Sequence, residues 1–140
     1  MTEIDFYTHV DDKLPIACRL SIKAVEQGMR VWVHSPDART TAQFDKLLWT
    51  WPAIGFIPHC RATDPLAGET PVIVEHESVE PSHQDLLINL HSETPSFFSR
   101  FQRLAEIVAT DEQDRNAARE RFRFYRDRGY VLRSHELGKK

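Results

Sequence analysis

Four short apolar runs alternate along the chain with segments of helical periodicity, and this alternation constrains the fold more than any other feature of the sequence. The runs are IDFYTHV (4–10), RVWVHS (30–35), PVIVEH (71–76) and DLLINLH (85–91). Short apolar runs of this kind are typical of buried strands. Strands that alternate with helices predict an α/β protein, in which helices flank a mainly parallel sheet.

Helical segments with recognisable ends follow the first two runs. The first segment is LPIACRLSIKAVEQG (14–28), which has apolar residues at helical spacing and ends at Gly28, a residue type that commonly stops a helix. The second helix is predicted to begin with Ser35 as its N-cap and Pro36 as its first residue, and to run through Leu48. Serine caps helices well, and proline fits the first helical position.

Two further helices are predicted in the second half of the chain. One opens at Thr94 and carries apolar residues at a spacing of three. These residues are Phe98, Phe101, Leu104 and Ile107. The last helix begins with Thr110 and Gln113 as a capping box, has acidic residues in its first turn, and ends at Gly129.

Length and composition favour one domain over residues 1–140 with room for a hydrophobic core. The chain has two cysteines, too few for a disulfide scaffold, and its start lacks the basic and apolar blocks of a signal peptide. We therefore expect a cytoplasmic protein that does not associate with a membrane. The net charge of −3 argues against a surface that binds nucleic acid all over.

The residues that would support a nucleotide or a metal are missing. There are five glycines, and no glycine-rich phosphate-binding motif occurs in the sequence. An α/β domain suggests a nucleotide-binding fold, but the sequence lacks the phosphate loop of such folds. His59 and Cys60 are adjacent, which is not a ligand spacing, and the other histidines have no ligand-like pattern. A catalytic pair of Cys60 with a distant histidine stays a minor alternative. We expect no cofactor, no metal and no catalytic residue, hence no enzyme activity.

The segment LLWTWPAIGFIPHC (47–60) concentrates tryptophan and phenylalanine among prolines and a glycine. These aromatic side chains could fill the core. Irregular segments usually run on the surface, however, and tryptophan is enriched at interface hot spots. The alternative interpretation is therefore a docking face for another protein.

The stretch RNAARERFRFYRDRGY (115–130) combines six arginines with several aromatic residues. Four of its positions share one face of a helix: Arg115, Arg119, Phe122 and Arg126. The aromatic rings could be a core stripe and the arginines a solvated face. The alternative is a basic rim around an apolar hollow, which suits a short acidic peptide with a hydrophobic end.

The whole chain resembles the chi subunit family of bacterial DNA polymerase III. The residues that carry the resemblance are FY in the first strand, LLWTWPAIGFIPH, DLLINL and ARERFRFYRDRGY, in that order. The resemblance implies a non-catalytic accessory protein of the clamp loader with two partners. One is the psi subunit, and the other is the acidic, phenylalanine-ended C-terminal tail of single-stranded-DNA-binding protein.

The resemblance also implies positions for the two binding surfaces. The tail-binding residues fall on Arg115, Arg119, Phe122 and Arg123, with Val108 in the apolar hollow. Some family members have tyrosine where this chain has Phe122, so the ring stays and the hydroxyl is lost. The psi-facing residues fall on Trp49, Pro52, Phe56, Ile57 and Pro58.

The sequence thus predicts an adaptor that contacts DNA only indirectly. One alternative is a direct single-stranded nucleic-acid-binding protein that uses the same helix, with rings for stacking and arginines for phosphates. Another is a degenerate nucleotide-binding enzyme.

Overall fold

Seven parallel strands form one sheet in the computed structural model, which describes residues 1–50, 57–77 and 79–137. The strands are β1 Glu3–Val10, β2 Val31–His34, β3 His59–Cys60, β4 Val72–Glu75, β5 Leu86–Asn89, β6 Arg103–Ala109 and β7 Leu132–Glu136. Their order across the sheet is β3-β4-β2-β5-β6-β1-β7, and each neighbouring pair is parallel. The predicted α/β class with a parallel sheet is confirmed.

Three α-helices cover the sheet, and two short 3-10 turns lie between strands in the described part of the chain. The helices are α1 Lys13–Glu26, α2 Ala38–Thr50 and α3 Glu112–Asp127, and the turns are Ala67–Glu69 and Phe98–Arg100. Successive strand residues point to opposite faces of a sheet. Val31 and Val33 therefore pack with the helices α1 and α2, whereas Trp32 packs with α3 on the other face.

The ends of the first two helices follow from local chemistry. The side chain of Asp12 accepts a hydrogen bond from the Leu14 N–H at 3.2 Å, and Gly28 after the last turn has φ +82°, which confirms the predicted stop. The prediction of Ser35 as the cap of α2 is wrong. The helix α2 begins only at Ala38, and the residue before it, Asp37, accepts a hydrogen bond from the Thr40 N–H at 2.7 Å. Aspartate caps a helix as well as serine does, so the sequence did not distinguish the two positions.

The predicted helix from Thr94 is also wrong. Phe98 lies in the 3-10 turn Phe98–Arg100, and Phe101 follows that turn. Leu104 and Ile107 belong to β6. Leu104 faces the α3 side of the sheet, and Ile107 faces the side of α1 and α2. A strand that is buried on both faces has no polar alternation, so its apolar residues can match a helical spacing by chance.

No helix in the described ranges is long and apolar enough to cross a membrane.

A buried aspartate ties the three strands at one edge of the sheet. Asp5 of β1 is 4% exposed and binds Arg133 Nε at 3.0 Å and Arg103 Nη2 at 3.1 Å. His135 Nε2 lies 2.9 Å from the same carboxylate. Burial by itself would raise the pKa of Asp5, but the hydrogen bonds from Arg133, His135 and Arg103 outweigh it and lower the pKa to about 2.

This aspartate should give the protein an acid-sensitive part of its stability. Because the pKa of Asp5 is lowered on folding, its contribution is present above the unfolded value of 3.8 and is lost as the pH falls through about 2. The free energy of unfolding, measured with urea, should therefore lose about 1–2 kcal/mol from this group across that window. Asp5→Asn should be less stable than the wild type at neutral pH, and the difference should shrink toward low pH.

The exposed Asp127, changed in the same way to Asn, is the matched control and should show a much smaller pH-dependent difference. The assignment would be contradicted if the free energies of unfolding of the wild type and of Asp5→Asn differed by the same amount throughout the range from pH 3.8 to about 2.

Candidate functional site

A cavity of about 300 Å³ opens where β1 and β6 end beside the first half of α3, and we call it the α3 cavity. Its lining residues are Thr8, His9, Val108, Ala109, Thr110, Arg115 and Arg119. The carboxyl ends of parallel strands are the usual place for ligands in α/β proteins. Three of the predicted tail-binding residues, Val108, Arg115 and Arg119, are brought together here.

Hydrogen bonds of one aspartate hold α3 at the edge of this cavity. Asp114 accepts a hydrogen bond from the Ala109 N–H at 2.7 Å and pairs with Lys13 Nζ of α1 at 2.9 Å. The cap of α3 is Asp111, which accepts from the Asp114 N–H at 3.0 Å, so the predicted cap at Thr110 is one residue early. The Thr110 N–H donates to the Val10 carbonyl at 3.1 Å, so this residue, just after β6, is tied to the end of β1.

The α3 cavity combines an apolar floor with a cationic rim. Val108 is 4% exposed, whereas the arginines at 115 and 119 are exposed. The Arg119 guanidinium donates to the side chain of Asn116, and Arg115 has no ion pair with any residue of the described ranges. No acidic side chain lines the cavity within those ranges. Such a site favours a ligand with an apolar end and negative charge.

Phe122 lies on the same flank of α3, one turn beyond Arg119, but it does not line the cavity. Its ring is half-buried and packs against Phe6 of β1, with ring centroids 5.2 Å apart. Phe122 therefore supports the wall of the site and also belongs to the edge of the core on this face.

Arg123 lies away from the α3 cavity. It is exposed, pairs with Glu120 at 3.2 Å, and lines a second groove, of about 630 Å³, along the opposite flank of α3. In that groove the Arg128 guanidinium lies 3.8 Å from the centre of the Phe124 ring, a cation–π contact. The structure thus separates Arg123 from the other predicted tail-binding residues.

Arg121 is buried, unlike the other five arginines of this stretch. It is 3% exposed, and its Nε donates to the fully buried Glu106 of β6 at 3.0 Å. Tyr125 donates to the same carboxylate at 2.6 Å, and Asn89 at 2.9 Å. Burial raises the pKa of Glu106, and the charge of Arg121 opposes that shift. The signal in the sequence is the spacing of Arg121 between two buried helix residues, Ala118 and Tyr125.

The wall of the cavity opposite α3 is a feature that sequence reasoning missed. The pairing of β1 with β6 is irregular between Tyr7 and Val10, which is a β-bulge. Within it His9 has φ +61°, and its Nδ1 lies 3.0 Å from Thr8 Oγ1. Histidine is among the non-glycine residues enriched at positive φ, but a single histidine in a strand sequence does not predict this left-handed conformation.

The predicted psi-facing residues that the structure describes, Trp49, Ile57 and Pro58, lie near the far edge of the sheet. Trp49, in the last turn of α2, is 61% exposed, and its ring packs edge-on against His59 at 5.4 Å. Pro58 is exposed, whereas Ile57 is half-buried against the core. The other two, Pro52 and Phe56, lie outside the described residues. With β3 and β6 four strand spacings apart, this surface is on the order of 20 Å from the α3 cavity.

Among the residues that the structure describes, no group of three or more His, Cys, Asp or Glu side chains could hold a metal ion.

Comparison with known proteins gives one consistent match over nearly the whole chain. The family model described as "DNA polymerase III chi subunit, HolC" matches residues 1–133. A DNA polymerase III subunit chi from Pseudomonas aeruginosa is 41% identical over 98% of this chain and 98% of its own length. The subunits chi of Escherichia coli and Haemophilus influenzae are 29% and 27% identical, over 84% and 88% of this chain and 80% and 86% of their own lengths.

The burial of Arg121 predicts that the arginines of α3 differ in their effect on folding. Arg121→Ala should lower the free energy of unfolding by about 3–5 kcal/mol, because it leaves the Glu106 carboxylate buried without its cation. Arg126→Ala, an exposed arginine on the same helix, should change it by no more than about 0.5 kcal/mol. Urea denaturation followed by circular dichroism measures both. Equal effects of the two changes would mean that the buried pair does not hold α3.

Proposed function

The chain belongs to the DNA polymerase III chi subunit family, and from that premise we propose that it links the psi subunit of the clamp loader to the acidic C-terminal tail of single-stranded-DNA-binding protein. It is an accessory subunit of the replicative polymerase and not its catalytic part. The α3 cavity is the observation that supports the proposal for the tail. It is an apolar hollow lined by two arginines, and no acidic residue of the described ranges lines it.

The α3 cavity fits a tail that ends in a phenylalanine. The terminal ring enters the hollow above Val108, where it leaves water for an apolar contact. The terminal carboxylate pairs with the Arg119 guanidinium, which can bind it through two hydrogen bonds. Arg115, which is exposed, attracts the acids that precede the end of the tail.

Phe122 and Arg123 have supporting roles in this proposal. Phe122 fixes the flank of α3 against Phe6, so that the cavity keeps its shape. Arg123 stands on the solvent side of the helix and meets acids of the tail that extend beyond the cavity. We assign the psi subunit to the distant surface of Trp49, Pro52, Phe56, Ile57 and Pro58, so that both partners can bind at once.

Direct binding of single-stranded DNA by α3 has less support. Base stacking needs exposed aromatic faces, and Phe122 and Phe124 are half-buried against the core. Tyr125 is fully buried. We therefore propose that DNA is reached indirectly, through the protein that coats it.

Binding of a synthetic peptide, several aspartates followed by a terminal phenylalanine, tests the proposed tail site by calorimetry. Arg119→Ala should weaken binding about tenfold or more, because a charge-assisted hydrogen bond contributes about 1.5–3 kcal/mol. Phe122→Ala should act similarly, because the flank of α3 loses its contact with Phe6 and the cavity loses its shape. Arg115→Ala should cost about 0–1 kcal/mol of binding free energy, since an exposed pair is screened. Arg39→Ala, at an exposed arginine in the first turn of α2, is the matched control and should leave the affinity unchanged.

A peptide without the terminal phenylalanine separates the two interpretations of the helix. A cavity that holds the ring should bind this shortened peptide much more weakly. Equal binding of both peptides would mean that α3 is only a positive patch and that the proposed cavity site is wrong.

The exposed tryptophan at the end of α2 provides a test of the psi surface. Trp49→Ala should abolish co-purification with a psi subunit and leave the unfolding midpoint close to the wild type, because this side chain is 61% exposed. Ile57→Ala should instead lower stability, since Ile57 packs against the core. Unfolding of the Trp49 variant, or its unchanged co-purification, would count against this surface.

A further inference from the structure

We propose that the bulge residues Thr8 and His9 form a second wall of the tail site and that the Nε2–H of the His9 ring donates a hydrogen bond to a carboxylate of the acidic tail. This inference rests on the proposed function of the α3 cavity. It adds a hydrogen-bond donor to the two arginines and places that donor on the sheet, opposite the helix.

The backbone at His9 is the first observation. His9 is the one non-glycine residue of the described ranges with positive φ, at +61°. The conformation costs free energy for a side chain with a Cβ atom, and such residues cluster at binding sites. It occurs in the bulge where β1 leaves its regular pairing with β6, between Tyr7 and Val10. Bulges commonly redirect a side chain next to a functional site.

The position of the His9 ring is the second observation. The ring is exposed, lines the α3 cavity, and has its Nδ1 3.0 Å from Thr8 Oγ1. That contact occupies one ring nitrogen and leaves Nε2 free for a ligand within the described part of the chain. His9 and the arginines of α3 line the same cavity, so a carboxylate inside it can reach donors of both the sheet and the helix.

The charges around His9 favour an acidic ligand. On α3 they are Arg115 and Arg119, and both line the same cavity. The acidic residues on the adjoining elements are Glu136, on the strand that pairs with Thr8, and Asp11 and Asp12 after β1. None of these acids lines the cavity, and Asp12 caps α1. The cavity therefore offers donors and positive charge to a carboxylate, and no acidic side chain of the described residues lines it.

Calorimetry with the aspartate-rich peptide that ends in phenylalanine tests the inference. His9→Asn is the informative variant, because asparagine tolerates positive φ but is too short to place a donor where His9 Nε2 lies. It should bind the peptide about threefold to fivefold more weakly than the wild type, because it loses one partly screened hydrogen bond to a carboxylate. Equal affinity of the variant and the wild type would overturn the proposal.

Two controls separate this inference from the proposed function and from misfolding. If Arg119→Ala does not weaken binding of the peptide, the tail site itself is wrong. If Arg119→Ala weakens binding and His9→Asn binds as tightly as the wild type, only the role of His9 is wrong. A nuclear magnetic resonance titration of the wild type needs no variant. The ring signals of His9 should move when the peptide is added, and those of His83, buried against Trp32 on the other half of the sheet, should not. Unmoved His9 signals at saturating peptide would also overturn the proposal.

Discussion

The ion pair between Glu106 and Arg121 is the interaction on which the geometry of α3 depends. A carboxylate that is fully removed from water needs a cation and hydrogen-bond donors, and the Glu106 carboxylate receives them from Arg121, Tyr125 and Asn89. Two of these three donors belong to α3, at positions one helical turn apart. The network therefore fixes both the rotation of the helix about its axis and its position along β6. Arg121 also donates to the Ser92 carbonyl at 2.6 Å, which extends the same network to the segment after β5.

Fixing the helix in this rotation decides which residues meet the solvent. With Ala118, Arg121 and Tyr125 turned inward, the flank with Arg115 and Arg119 faces the ends of β1 and β6, and the opposite flank forms the second groove. The Asp114 side chain completes this arrangement at the start of the helix through its bonds to Ala109 and Lys13. The α3 cavity is thus the space that remains between a helix held by buried polar contacts and a strand end bent by a bulge.

The division of the molecule into two separate surfaces follows from the order of the strands. The psi surface is assigned to the β3 edge, next to the end of α2, and the tail site is assigned to the region of β6, β1 and α3. The stiff sheet between them keeps the two sites apart without a linker. Such an arrangement suits an adaptor, because occupation of one site leaves the other sterically free.

The sequence by itself determined the α/β class, the strands β1, β2, β4 and β5, the helices α1 and α3, and the cationic character of α3. It could do so because apolar periodicity and charge are local properties of the chain. The tertiary structure decided which of six similar arginines is a buried structural residue, since that depends on where Glu106 lies, 15 residues away. It also decided that 104–107 is a strand, because burial on both faces comes from layers supplied by distant segments. The strands β3 and β7 escaped prediction because one has two residues and the other is mostly exposed and polar. The wall at Thr8 and His9 likewise could not be predicted from the sequence. A bulge arises from the pairing of two strands, and neither strand's sequence by itself indicates it.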